Sequence, residues 1–173
     1  MRKFLFLVFV GCVCGFIHAP YSITERYAAA VANRDGTTIA ELTDIAASRE
    51  SLKESFRPVV AEYIRTQLPA GIDAQRANQA VLGGVLMAEK QIDLSFTKDT
   101  MQAFIDAAPE DQVSHYAFEQ KGWRNPLTFI AVDNYDSTKI IFEFKGFDGW
   151  KQTRSESTKE AIRKAFLRGL QRK

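Results

Sequence analysis

Residues Leu127–Arg154 read LTFIAVDNYDSTKIIFEFKGFDGWKQTR and carry the clearest strand pattern of the chain. Apolar and polar side chains alternate along Thr138–Phe147, and they alternate again along Leu127–Asp133. A period of two residues, rich in β-branched and aromatic side chains, is typical of strands that bury one face. The pattern therefore predicts two antiparallel strands joined by a loop over residues 134–137.

The dipeptide Asp148-Gly149 predicts a two-residue hairpin loop after the second of these strands. Asp-Gly suits a type I′ turn, because both central residues of that turn need positive φ. Such a turn places Phe147 opposite Trp150 as an aromatic clamp. It also places Glu143 opposite Arg154, where the two side chains are expected to form a cross-strand ion pair.

An apolar face is expected from the pairing of Val132 with Ile140 across the loop. A slip of one residue would turn the apolar side chains of one strand to the other face, so the pattern favours this register. The predicted apolar face consists of Ile130, Val132, Ile140, Phe142 and Phe144, and the mixed face carries Phe129, Ile141, Phe147 and Trp150. The apolar face needs a cover, which helices must supply.

Helical periodicity dominates the sequence before the predicted sheet. Caps and apolar stripes predict helices over residues 22–34, 37–42, 44–68, 73–94 and 97–108, with Pro58 expected to kink or split the third. A first strand is predicted over Val113–Gln120, with His115 and Tyr116 in mid-strand, followed by a turn over Gly122–Pro126. The expected fold class is α+β, with N-terminal helices packed on a C-terminal antiparallel β-meander of about four strands and a C-terminal amphipathic helix.

The composition suits one globular domain with extensions at both ends. The chain has 173 residues, of which 46% are hydrophobic and 25% are charged. We expect an N-terminal signal or membrane anchor over residues 1–21, a single α+β domain over residues 22–155 and a basic helix over residues 156–173. Residues 20–150 hold 13 basic and 19 acidic side chains, whereas residues 151–173 hold 8 and 2. An acidic body with a basic tail is therefore predicted.

The N-terminal segment has the arrangement of an export signal. Two basic residues precede an apolar run over Phe4–Ile17, and His18-Ala19-Pro20 follows. The run has 14 residues, which is short for a membrane span of about 20. We expect the segment to be exported or anchored in a membrane, and cleavage, lipidation at Cys12 and retention as an anchor stay open. The alternative is a buried N-terminal helix.

Residues 155–173 predict a basic amphipathic helix. Apolar residues recur at helical spacing, and the charged face carries Lys159, Arg163, Lys164 and Arg168. Such a face can lie on anionic lipid or meet the phosphates of nucleic acid. In the third alternative, the apolar face docks on the domain and the charges are solvated. Nucleic acid is the least expected partner, because an exported protein rarely meets it.

Few residues carry recognisable chemistry. Both cysteines, Cys12 and Cys14, lie in the N-terminal segment, so the predicted domain has no thiol nucleophile and no zinc–thiolate site. His115 is the only histidine outside that segment, which disfavours a catalytic triad and a transition-metal site. The sequence has no glycine-rich phosphate loop. No catalytic residue, cofactor or metal is assigned, and the candidate ligand-binding residues are His115, Tyr116, Phe142 and Phe144.

Three aspartates, Asp133, Asp136 and Asp148, fall in the predicted hairpin loops. The segment around the first two lacks the glycine and the terminal glutamate of a calcium loop, so we interpret the aspartates as turn-forming residues. Carboxylates that meet only in the folded chain can still do acid–base work. An acid–base site therefore stays open, without a predicted location.

Five fragments occur in a distinctive order. They are Ala19-Pro20-Tyr21, YAAAVANRD at residues 27–35, Leu42-Thr43-Asp44, SRESLK at residues 48–53 and FEFKGFDGWK at residues 142–151. Together they resemble the bacterial domain-of-unknown-function family 2939 over residues 19–155. The chain departs from that family at Asp44-Ile45-Ala46, where Asp-Phe-Pro is expected, and in its basic C-terminal helix. The resemblance implies an envelope location and no established activity, so no functional residue is carried over.

The order of helices first and sheet last is also similar to a nuclear-transport-factor-2-like or cystatin-like cone, which implies a fold alone. The expected function is a non-enzymatic envelope protein that binds a small molecule, a lipid or a protein partner. It is tethered at the inner membrane with a periplasmic domain, or secreted to the periplasm. One alternative is a small hydrolase or isomerase with a cone-shaped cavity, using carboxylates and His115 or Tyr116. The other is a membrane-surface interaction protein that acts through the basic C-terminal helix.

Overall fold

The computed structural model describes the backbone of residues 2–171 and the side chains of residues 12–164 and 167. Helices come first, an antiparallel sheet follows and a helix ends the chain, which confirms the predicted α+β class. The elements are α1 (Arg2–Ala32), α2 (Gly36–Leu42), α3 (Ile45–Gln67), α4 (Ala74–Ser95), α5 (Met101–Asp106), α6 (Glu110–Val113), β1 (Phe118–Asn125), β2 (Thr128–Asp133), β3 (Lys139–Phe144), β4 (Trp150–Glu156) and α7 (Lys159–Gln171).

The sheet is a meander in which the four strands lie in chain order. The loop between β2 and β3 covers residues 134–137 as predicted, and the N–H of Asp133 donates to the carbonyl of Thr138 at 3.0 Å. A loop of this length places Ala131 opposite Ile140. The predicted pairing of Val132 with Ile140 is therefore wrong by one residue.

This shift changes which side chains of β2 face the core. Phe129 and Ala131 are fully buried on the core face, whereas Ile130 and Val132 lie on the opposite face, contrary to the prediction. A strand alternates its side chains, so one residue of register reverses the whole strand. The prediction is confirmed for the core-facing residues of β3, which are Ile140, Phe142 and Phe144.

The turn between β3 and β4 is longer than the predicted two-residue loop. Residues Gly146–Asp148 form a 3-10 turn, and the N–H of Lys145 donates to the carbonyl of Gly149 at 2.8 Å. Gly146 and Gly149 have φ values of 63° and 72°. Glycine enters this left-handed region without steric cost, so the two glycines fix the shape of the turn.

The longer turn changes both predicted hairpin pairs. Trp150 lies opposite Phe144 and is buried on the core face, whereas Phe147 is fully exposed at the tip. The predicted Phe147–Trp150 clamp is therefore wrong. Arg154 does not lie opposite Glu143 either, yet its guanidinium reaches that carboxylate diagonally at 2.7 Å. The ion pair thus forms in a register that the sequence did not predict.

The first strand begins later than predicted. β1 starts at Phe118, so the predicted strand over Val113–Gln120 is wrong in its first half, which holds the end of α6 and an irregular segment. His115 and Tyr116 consequently precede the sheet. The predicted turn over Gly122–Pro126 is also wrong, because residues 122–125 belong to β1.

α1 is one continuous helix across the expected boundary between the N-terminal segment and the domain. The predicted helix start at Ser22 is wrong, because the helix begins at Arg2 and runs through Pro20. Side chains at helical spacing on α1 pack against the core face of the sheet, and they are Phe16, Ala19, Ile23 and Tyr27. Among the residues whose side chains are described, no helix is both long enough and apolar enough to cross a membrane.

The other helices keep most of their predicted limits. Asp35, Asp44 and Asp73 cap α2, α3 and α4, and each carboxylate accepts an N–H from the first turn. α3 runs through Pro58 as a single helix, so the chain is not split there. α5 is shorter than predicted at both ends. α3 packs against α4, β4 and α7, and a second apolar cluster joins the end of α1 to α2, α5 and α6.

Candidate functional sites

Aromatic side chains of α1 and β1 fill the space above the core face of the sheet. The ring of Tyr27 meets the ring of Phe142 edge to face, with 5.6 Å between centroids. Phe118 approaches the same ring at 6.3 Å. Phe142, a candidate ligand-binding residue, is fully buried in this cluster. Two cavities lie beside the cluster, one at each end of β3.

The first cavity, which we name the α1 groove, lies where α1 passes the β3–β4 turn. It is an open groove of about 510 Å³ with a mainly apolar lining. That volume lies in the range of pockets that hold small molecules. The side chains and backbone that form it include Cys12, Gly15, Phe16, Ile23, Phe144 and Trp150. Phe144, predicted as a ligand-binding candidate, therefore lines a real groove.

Phe16 joins the α1 groove to the sheet. Its ring lies 5.2 Å from that of Phe144, 5.6 Å from that of Trp150 and 6.2 Å from that of Trp123, measured between centroids. Trp150 is only 4% exposed, and its indole N–H has no acceptor among the described atoms. A buried donor without an acceptor costs about 1 to 3 kcal/mol. Trp150 therefore lines the groove, but its indole nitrogen is itself buried, so a ligand in the groove does not reach it without a rearrangement.

The second cavity, which we name the Asp133 pocket, lies at the opposite end of β3. It has a volume of about 190 Å³, and its polar side chains include those of Tyr116, Asp133, Asp136 and Thr138. Oδ1 of Asp133 accepts the N–H of Tyr135 at 3.1 Å and that of Asp136 at 3.0 Å. Asp133 therefore does hold the turn, as interpreted from the sequence, but it is also buried at a cavity.

Burial raises the pKa of the Asp133 carboxyl above its usual value. The neighbouring Asp136 carboxylate adds to this rise in pKa, whereas the N–H donors of Asp136 and Tyr135 oppose it. Burial also raises the pKa of the Tyr116 phenol, and it raises the pKa of Tyr27 to about 12. Both phenols are therefore neutral at physiological pH, and Asp133 keeps its proton to a higher pH than a solvated aspartate does.

Asp133→Asn is expected to remove part of the pH dependence of stability. Because the pKa of Asp133 is higher in the folded chain, the folded state binds more protons through this group. Its contribution is complete below the unfolded-state pKa and is lost as the pH rises through the folded-state pKa. Asparagine keeps the oxygen that accepts the two N–H groups. Urea unfolding measured from pH 3 to 7 should show that the free energy of unfolding of the variant increases relative to that of the wild type as the pH rises. The same pH dependence in both proteins would contradict this account.

His115 does not join either cavity. Its side chain is exposed, and its carbonyl accepts the side-chain N–H of Asn134 at 2.8 Å. His115 is therefore not part of the lining of the Asp133 pocket, whereas its neighbour Tyr116 is. Sequence reasoning did not find Phe16 as a groove residue, because it assigned that residue to a leader. The spacing of Phe16, Ala19 and Ile23 is the signal that would have placed it on a core-facing helix.

The basic helix α7 docks on α3. Ile162 is buried at this contact, and Nζ of Lys159 lies 2.6 Å from a carboxylate oxygen of Glu62. Arg163 and Lys164 are exposed, and Arg168 lies outside the residues whose side chains are described. A small groove of about 160 Å³ lies between α3 and α7. This docking supports the alternative in which the apolar face of the helix packs on the domain and its charges are solvated. A role of the helix at a lipid surface stays a prediction.

Ile162→Ala is expected to lower the free energy of unfolding by about 2 kcal/mol, because it removes buried side-chain volume between α7 and α3. Lys164→Ala is the matched control, since Lys164 is exposed on the same helix. Thermal unfolding should separate the two variants. Equal stability of both variants and the wild type would show that α7 does not contribute to the fold through its apolar face.

Among the residues whose side chains are described, no three His, Cys, Asp or Glu side chains are placed to hold a metal ion. Comparison with protein-family models, curated proteins and solved structures found no match to this chain. The resemblance to domain-of-unknown-function family 2939 accordingly stays a prediction. Function has to be argued from the two cavities and from the course of α1.

Proposed function

We propose that the protein is a non-enzymatic envelope module that binds a lipid, small molecule or protein partner and is held at the inner membrane by an uncleaved α1. The observation that carries this proposal is the continuity of α1. One helix contains the apolar run Phe4–Ile17 and the side chains that cover the sheet. Removal of the run by cleavage after Ala19 would also remove Phe16 from the aromatic cluster.

The orientation follows from the charges at the start of α1. Arg2 and Lys3 precede the apolar run, and basic residues favour the cytoplasmic side of a membrane. The domain at the other end of α1 would then lie in the periplasm. The apolar α1 groove adjoins the point at which α1 meets the domain, and its volume suits a small apolar ligand.

The chemistry of the described residues favours binding over catalysis. The residues after the apolar run contain no cysteine, and His115, the only histidine after His18, lines neither cavity. The α1 groove has a mainly apolar lining, and the indole nitrogen of Trp150 is buried rather than exposed in it. A groove of this kind suits an apolar ligand, which is the pattern of a binding site.

Fractionation of cells that produce the full chain tests the proposal. The expected result is recovery in the membrane fraction, resistant to high salt, with the same protein lacking residues 2–15 in the soluble fraction. That deletion keeps Phe16 and the sheet contacts of α1, so it serves as a folded control. Recovery of the full chain in the soluble cytoplasmic fraction would refute the proposal.

One observation favours a second candidate, a small hydrolase or isomerase. The Asp133 pocket places a carboxyl with a raised pKa beside the neutral phenol of Tyr116. A carboxyl whose pKa is raised by burial is suited to general acid–base catalysis. A panel of activated esters and enolisable ketones tests this candidate with wild type and Asp133→Asn. Turnover lost in the variant would support an enzyme, and equal background rates would exclude this pocket as its site.

A further inference from the structure

We infer that the end of the domain where α1 meets the β3–β4 turn is a membrane-facing surface, with Phe147 inserted among the lipids. This inference rests on the proposed function, because it assumes that the apolar part of α1 lies in a bilayer. It adds a second contact between the domain and the membrane. The surface consists of Phe147 at the tip of the turn and the rim of the α1 groove.

The length of the apolar run favours such a contact. Phe4–Ile17 has 14 residues, and at about 1.5 Å per residue the helix covers roughly 21 Å. The hydrocarbon core of a bilayer is about 30 Å thick. The next residues of α1 cannot enter lipid alone, because Phe16, Ala19 and Ile23 pack on the sheet. The end of the domain must therefore approach the bilayer, or the bilayer must become thinner.

The side chains at this end suit the membrane interface. Phe147 is fully exposed, although its neighbours in the turn are held by two left-handed glycines, Gly146 and Gly149. The turn thus presents a large apolar ring to solvent in a fixed geometry. Val13 and Ile17 on α1 are 41% and 46% exposed in the same part of the molecule. Phenylalanine is among the apolar residues that membrane-surface elements bury at the boundary between headgroups and acyl chains.

Lipid is the occupant that the structure favours for the α1 groove. Cys12 and Gly15 belong to the apolar run and also line the groove. A bilayer that surrounds the run therefore also borders the groove. A protein partner would need a matching apolar segment, whereas a bilayer around α1 brings lipid to this place without a further partner.

The charges beside the tip indicate insertion rather than electrostatic binding. Nζ of Lys145 lies 3.5 Å from the carboxylates of both Asp44 and Glu143, and Nζ of Lys151 donates to the carbonyl of Glu41. These cations are engaged by the protein itself. Binding at this surface should therefore not depend on anionic lipid.

Site-specific fluorescence quenching tests the inference. The full chain carrying Cys12→Ala and Cys14→Ala is reconstituted into phosphatidylcholine vesicles with a single new cysteine, either Phe147→Cys or Tyr135→Cys. Both positions are exposed aromatic residues in hairpin loops, and they lie at opposite ends of β3. The six residues of β3 separate those ends by roughly 20 Å. Each cysteine is labelled with a polarity-sensitive fluorophore, and lipids with quenchers near the headgroup are added.

The expected result is at least twofold stronger quenching at position 147 than at position 135, unchanged when a third of the lipid is phosphatidylglycerol. Equal, weak quenching at both positions in vesicle-bound protein would overturn the inference and leave the proposed anchoring intact. Quenching at position 147 that appears only with anionic lipid would also overturn it, in favour of electrostatic attachment. Failure of the full chain to float with the vesicles would overturn the proposed function together with this inference.

Discussion

Phe142→Ala is expected to lower the free energy of unfolding by about 3 to 5 kcal/mol. The ring is fully buried, and it meets Tyr27 of α1 and Phe118 of β1 edge to face. Its loss leaves a cavity at the contact between α1 and the sheet, in addition to the loss of buried apolar area. Urea unfolding followed by circular dichroism measures the change.

Phe147→Ala is the matched control, because the same side chain is removed five residues later at a fully exposed position. This variant should keep the wild-type stability within about 0.5 kcal/mol. The sequence alone places Phe142 and Phe147 on opposite faces of one strand. The predicted clamp of Phe147 with Trp150 would have made Phe147→Ala lower the free energy of unfolding. A comparable loss of stability in both variants would contradict the observed β3–β4 turn.

Removal of residues 1–19 is expected to cost about 2 to 4 kcal/mol of folding free energy, because it takes away Phe16 and Ala19. Phe16 stacks on Trp123 and packs its ring against Trp150. Its loss exposes both indoles, so the tryptophan emission of the truncated protein should shift to longer wavelength. Urea unfolding and fluorescence spectra, measured in the same detergent, give the two readouts.

The control for this truncation lacks residues 1–15 and begins at Phe16. It keeps the four α1 side chains that pack on the sheet, so its stability and emission should stay close to those of the full chain. If removal of residues 1–19 has no larger effect than removal of residues 1–15, the N-terminal half of α1 is not part of the core. Cleavage after Ala19 would then be compatible with the fold.

The sequence predicted the class of the fold and the elements of its helical part well. Aspartate caps and apolar stripes are local signals, so Asp44 and Asp73 marked true helix starts. Register is not a local signal in the same way. The predicted pairing of Val132 with Ile140 looked favourable because it collected apolar side chains, but a loop over residues 134–137 fixes a different register.

The turn after β3 shows a second reason for error. Asp148-Gly149 is a strong type I′ signal, but Gly146 supplies another residue with positive φ and lengthens the turn. Two glycines three residues apart are compatible with several turn types. The contact of Trp150 with Phe16, a residue that is distant in the sequence, selects among them. Such a tertiary contact is not readable from the turn sequence.

The two cavities were only partly predictable for the same reason. Tyr116 and Phe144 were candidates because they are aromatic and near the sheet, and they line the Asp133 pocket and the α1 groove respectively. Asp133 was read as a turn former, and its burial depends on α6 and the end of α1. An apolar run after two basic residues suggested a separate leader, although the helical spacing continues from Phe16 to Tyr27.

The intact mass of the protein extracted from cell membranes tests most directly whether α1 is both anchor and core. The account predicts a chain that keeps the whole apolar run Phe4–Ile17. A mass that corresponds to a chain beginning at Pro20, or to a chain beginning at a lipidated Cys12, would contradict it.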